Sequence, residues 1–227
     1  MELAGATWRQ VEATGGTALL AVPLGSLEQH GPHLPLDTDT RIAAALAHGL
    51  AARRPGLAVA PALPYGASGE HAGFPGTLLV GHEVLSGVFL ELVRSARSWF
   101  RGVVFVSAHG GNADALDAAA RRCVEEGDDV LVWRGAPVGG DAHAGRTETS
   151  LMLALAPDAV RLELAEPGCT EPLGALLPRL RAEGVRPVSS NGVLGDPTGA
   201  SAEEGRTLLD ALVQDLATAV SARWPTP

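Results

Sequence analysis

The chain predicts an α/β fold: three layers (αβα) with a mostly parallel sheet between the helices. Three observations carry that expectation. Short apolar runs alternate with longer segments whose apolar residues recur at helical spacing. The runs are apolar throughout, as strands buried on both faces require. Finally, the polar residues able to do chemistry gather immediately after the runs, where open parallel sheets bind their ligands.

Four runs read as strands: Ala18 to Leu24 (ALLAVPL), Leu57 to Leu63 (LAVAPAL), Val103 to Val106 (VVFV) and Val130 to Trp133 (VLVW). Met1 to Gln10 reads as the opening of the folded chain. Helical spacing covers Thr40 to Arg53, Glu83 to Phe100 and Ala113 to Glu126, and later Thr147 to Ala156, Pro172 to Glu183 and Ser201 to Arg223. Strand–helix alternation favours right-handed crossovers and a sheet covered on both faces. No repeat, low-complexity tract or linker interrupts the chain, so residues 1–227 read as a single domain.

Composition excludes several classes of function. Net charge is −9 and no stretch gathers arginines into a stripe, which disfavours nucleic acid as the partner. All 17 basic residues are arginine, which removes the phosphate-loop lysine and Schiff-base chemistry. No apolar run is long enough to cross a bilayer and the N-terminus shows no leader pattern, so the expectation is a soluble, cytoplasmic protein without membrane contact. Cys123 and Cys169 are far apart and lack CxxC spacing. Cys123 reads as a small buried hydrophobe.

Four loops follow the four strands. The first, Gly25 to Asp39, carries Glu28-Gln29-His30-Gly31-Pro32-His33 and then Asp37 and Asp39. Glu28 and His30 stand two apart on an extended segment and share a side, as ligands of one divalent metal would. Asp39, near the next helix start, can turn back toward them and bridge two ions; the alternative is that Asp37 or Asp39 caps that helix. The second loop holds Gly69-Glu70-His71, another acidic–imidazole pair. In the third, His109 ends a strand before Gly110-Gly111, and Asn112 is placed to cap the following helix. The fourth, Gly139 to Ser150, holds His143 in a glycine-rich setting suited to proton transfer. Its Glu148 falls in a first helical turn, where dipole complementarity or a capping interaction accounts for it without chemistry. Arg146 can meet a peptide carboxylate or remain a solvated loop arginine. His30, His71, His109 and His143 all fall in strand-end loops, whereas His48 and His82 read as ordinary helix or helix-start residues.

At this point the segments SLEQHGPHLPLDTD (Ser26 to Asp39), GASGEH (Gly66 to His71), SAHGGN (Ser107 to Asn112) and HAGRTETS (His143 to Ser150) resemble, in order, the signatures of the creatininase family. The resemblance implies a metal-dependent amidohydrolase with one or two divalent ions (Zn, Fe or Mn). It places Glu28, His30, Asp39 and His109 at ligand positions, Asp39 as the bridge, His143 near the reacting group and Glu148 at the ETS glutamate. One position departs: creatininase proper has a glutamate ligand where this chain has Gly111, and Glu148 is the carboxylate available to replace it. The resemblance also implies a homo-oligomer, such as a hexamer.

The last third narrows the substrate. NGVLGDPTGAS (Asn191 to Ser201), with SGEHAGFPGT and GGDAHAGRTETS, is similar to family members of the mycofactocin pathway. That similarity implies release of a C-terminal Val-Tyr dipeptide from a modified precursor peptide, with His143 or Glu148 as proton donor. Two other readings stand beside it: an amidohydrolase of a small cyclic amide or formamide, and a non-catalytic metal-binding scaffold. No Gly-x-Ser-x-Gly elbow offers a rival nucleophile.

Overall fold

A computed structural model describes residues 1–135 and 140–225. In chain order it contains α1 (Trp8–Glu12), β1 (Leu19–Leu24), α2 (Thr38–Arg53), β2 (Leu57–Val59), α3 (His82–Ala96), β3 (Gly102–Ser107), α4 (Ala113–Glu125), β4 (Val130–Arg134), α5 (Arg146–Leu155), α6 (Leu173–Glu183) and α7 (Ala202–Arg223). The four strands form one parallel sheet in the order β2-β1-β3-β4. Each expected strand and helix is present, with shifted ends.

The apolar runs are continuous because both faces of the sheet are covered. Leu19, Ala21, Val104, Val106 and Trp133 pack with α2, α5 and α7. Alternate residues, Leu20, Val22, Val103 and Phe105, pack with α3 and α4 on the other side. Period-2 side-chain direction thus splits each strand between two cores. Ser201 caps α7 by accepting from Glu204 N–H at 3.2 Å, where capping chemistry is expected.

Two boundaries differ for local reasons. The second strand stops at Val59, not Leu63, because Pro61 has no N–H to continue the ladder. The chain returns to the sheet only at Leu63, which donates to Pro23 O at 3.0 Å. The third helix ends at Ala96; Trp99 and Phe100 both turn back to Ala96 O instead. Gly139, the expected start of the fourth loop, lies outside the described residues. Cys123 is fully buried and both cysteines are free. No described helix is long and apolar enough to cross a membrane.

Candidate metal centre

The four strand-end loops converge at the carboxyl edge of the sheet. Gly25 N–H bonds to Leu63 O at 3.0 Å and Ala108 N–H to Leu24 O at 3.1 Å, which ties the first loop to its neighbours. Asn112 completes the tie. Its Nδ2 donates to Gly25 O and its Oδ1 accepts from Ala67 N–H, both at 3.0 Å. The expected helix cap is therefore a correction: Asn112 makes no side-chain cap and instead joins three loops.

Glu28, His30, Asp39 and His109 come together as expected, all buried. Asp39, in the first turn of α2, divides its carboxylate. Oδ1 faces His30 Nε2 at 3.1 Å, while Oδ2 faces His109 Nδ1 at 3.1 Å and accepts from Ser26 Oγ at 2.7 Å. That is the posture of a bridging carboxylate, and the helix-cap alternative for Asp39 falls away. Asp37, at the N-cap position, makes no cap bond and pairs with Arg41 at 2.8 Å. Glu148 reaches His30 Nε2 at 3.9 Å and also accepts from Ala144 N–H at 2.6 Å, so it both approaches the cluster and closes its own helix start.

His30 Nδ1 donates to Glu28 O at 3.1 Å, which leaves Nε2 to face the carboxylates. A backbone bond of this kind is how proteins orient metal-binding imidazoles. Among the described residues, both oxygens of Glu28 lack a hydrogen-bond partner although the residue is fully buried. A buried carboxylate without partners costs several kcal/mol, of order 3–5, unless a cation meets it. Around it stand three overlapping groups, Glu28–His71–His143, His30–His143–Glu148 and Glu28–Asp39–His109, each with donor atoms within 4.8 Å of one another. Mixed imidazole and carboxylate donors at that spacing fit a divalent metal.

Electrostatics reinforce this reading. Burial opposes charge on His30, yet Asp39, Glu148 and Glu28 raise it to about 10. Burial likewise opposes charge on His109, and Glu28 and Asp39 lift it well above the usual range. Glu28 is lowered to about 2, because His109 and His71 overcome the burial that would raise it. Asp39 is held well below the carboxylate range by His30 and His109, again against burial. Burial raises Glu148 to about 7. His143 goes the other way, well below an ordinary histidine, because it is buried beside His30 and His71.

His143 lies in the cluster as expected, buried, and its Nε2 donates to Gln29 O at 2.8 Å. Arg146 is a half-exposed surface arginine at the start of α5, as the solvated reading expects. It pairs with Glu204 at 2.9 Å and ties α5 to α7. Gly111 shows why this chain lacks a third-strand carboxylate: a Cβ there would stand 2.2 Å from Ala67 O and 2.4 Å from His109 Nε2.

Two residues acquire roles that sequence reasoning did not assign. His71 is buried with Nε2 3.3 Å from Glu28 Oε1; its strand-end loop, its pairing with Glu70 and the GASGEH segment were the signals. Gln29 lies behind the cluster and reaches His71, His143, Gly31 and Gly192, contacts invisible to local spacing. His82, although a helix-start residue as expected, lines with Glu28, His71, His109 and His143 a cavity of about 410 Å³ bordered by Leu173, Leu177 and Leu180 of α6.

A parallel αβα fold with a buried carboxylate–imidazole cluster at its strand ends defines the class: an α/β protein whose strand ends carry a donor set that fits a divalent metal. The creatininase family, described as creatinine amidohydrolase, matches residues 4–220. The mycofactocin precursor peptide peptidase of Mycobacterium tuberculosis (strain H37Rv) is 48% identical, over 100% of this chain and 93% of its own. A solved structure designated creatininase Mn superposes with a TM-score of 0.80 at 29% identity, covering 99% of this chain and 98% of that one. A variant creatininase of Zn-Zn type gives 0.78 at 29% identity with the same coverage. The chain belongs to the creatininase family and is a hydrolase.

Proposed function

We propose that this chain is a metal-dependent peptidase that hydrolyses an amide bond near the C-terminus of the modified mycofactocin precursor peptide, releasing a Val-Tyr dipeptide. The observation that carries the metal part is the carboxylate of Glu28, buried and unpartnered among imidazoles. Similarity to the mycobacterial relative along the whole chain supports the substrate. Glu28, His30, Asp39, His109 and Glu148 would hold one or two ions of Zn, Fe or Mn. The protein would act as one domain, in the cytoplasm, as a homo-oligomer such as a hexamer.

A divalent metal supplies Lewis acidity, which activates water and polarises the amide carbonyl. The protein supplies the rest. Asp39 and Glu28 provide the negative charge that such an ion needs. His143 keeps Nδ1 free on the cluster side, 3.8 Å from Glu28 Oε1, and is placed to take a proton and return it to the leaving nitrogen. Leu173, Leu177 and Leu180 give the cavity an apolar wall, which suits an uncharged or aromatic side chain on the terminal residue.

Mass spectrometry of metal-loaded protein with the modified and unmodified precursor peptides tests this reading. Release of the dipeptide that stops on chelation is expected. Intact peptide with metal in the sample would overturn it in favour of a small cyclic amide or formamide substrate. Intact peptide with no hydrolysis of such amides either would leave a metal-holding scaffold.

A further inference from the structure

Gln29 sits between two candidate ligands, and its amide is pinned from two sides by backbone. Gly31 N–H can only donate, and it does so to Gln29 Oε1 at 2.9 Å. Gly192 O can only accept, and it takes Gln29 Nε2–H at 3.0 Å. The amide therefore has one orientation: reversing it would set donor against donor and acceptor against acceptor. Gly192 has φ +82°, and a Cβ there would stand 1.9 Å from Gln29 Oε1, so a glycine lets the backbone approach this closely.

That orientation acts on the neighbouring imidazoles. Gln29 Nε2 lies 2.8 Å from His71 Nδ1 and 3.1 Å from His143 Nε2; the latter carries the hydrogen that Gln29 O accepts, so the second amide hydrogen goes to His71 Nδ1. His71 Nδ1 is then an acceptor and the ring proton sits on Nε2, which faces the cluster. Among the described residues no hydrogen bond uses that N–H, although Glu28 Oε1 is 3.3 Å away. His143 is arranged oppositely. Its Nε2–H goes to the backbone oxygen of the same Gln29, so Nδ1 presents a lone pair to the cluster.

We propose that Gln29 is a positioning residue that makes the two histidines unlike: His71 is a fixed N–H donor to the oxygen of the scissile amide, and His143 is the free base. This rests on the amide-hydrolase reading of the site. His71 is then neither a metal ligand nor an acid. Its Nε2 has no lone pair for an ion, and its Nδ1 cannot take a proton while Gln29 donates to it. A neutral imidazole N–H aimed at developing negative charge is worth its hydrogen bond only where that charge appears.

Long-range ¹⁵N–¹H NMR of histidine-labelled, metal-loaded protein reads the tautomers directly. The proton is expected on Nε2 of His71, and Gln29→Glu, whose carboxylate accepts from Nδ1–H, should move it to Nδ1. His71→Gln, which keeps an N–H donor, should retain full metal content; His71→Leu should lose about 10²–10³ in kcat with KM little changed. The glutamine variant should recover part of that loss. A proton on Nδ1 of His71 in the unaltered protein, or metal lost from His71→Gln, would overturn the assignment. If the unaltered protein hydrolysed no amide, the peptidase reading would fall, while tautomer and metal content would still decide the role of Gln29.

Discussion

Glu28 Oε2 lies 3.3 Å from His109 Nε2, yet the two make no hydrogen bond. The Nε2–H is turned away from the carboxylate, so this imidazole can meet an ion held by Glu28 only through Nδ1. His109 Nε2 donates instead to Ala67 O at 3.2 Å, which leaves Nδ1 beside Asp39.

From that relationship, Glu28→Ala and His109→Ala should each abolish turnover and lower metal content by at least about tenfold, with circular dichroism unchanged. Elemental analysis after dialysis checks this. Full metal content in either variant would remove that residue from the ligand set.

Metal uptake should release protons. In the metal-free protein at pH 7, His30 (about 10) and His109 are protonated and Glu148 (about 7) is half so. A ligand must shed its proton, so affinity should rise with pH. Calorimetry in buffers of different ionisation enthalpy should show release of about one to three protons per site filled. The stability sign follows from the same groups. His30 is raised above its unfolded value, so its contribution is full below about 6.5 and is lost as pH rises toward about 10. The metal-free Tm should fall across that window, and the metal-loaded protein should not follow it.

His143→Ala should keep its metal and lose about 10²–10⁴ in kcat, the usual worth of a positioned acid–base group. Rapid-quench turnover with parallel metal analysis separates the two effects. Loss of metal would make His143 a ligand through its free Nδ1.

Gly111→Glu restores, on paper, the carboxylate of creatininase proper. Here it should fail. The new Cβ would meet Ala67 O and His109 Nε2 at distances no side chain tolerates, and Glu70 Oε1 stands only 2.8 Å from the same point. The variant should be destabilised by about 1–3 kcal/mol and bind less metal than the unaltered protein. Denaturant melts and metal titration check this, and a gain in affinity would contradict it.

The strands and helices were legible because they rest on local periodicity. VVFV and ALLAVPL bury both faces and read so directly; Pro61 cut the second strand short by four residues, while the other strand ends moved by a single residue. The cluster around Glu28 and His30 was legible for the same reason: two-residue spacing on an extended segment puts side chains on one side.

By itself, then, the sequence determined the layered fold, the loops that meet, and which acids and imidazoles they bring. The tertiary structure decided what each does there. Asn112 is a tie rather than a cap, Arg146 is a strut to Glu204, and His71 enters the site because Gln29, 42 residues away in the chain, holds its ring. Those assignments depend on hydrogen bonds between distant segments, whose direction is set by backbone donors and acceptors that no local spacing specifies.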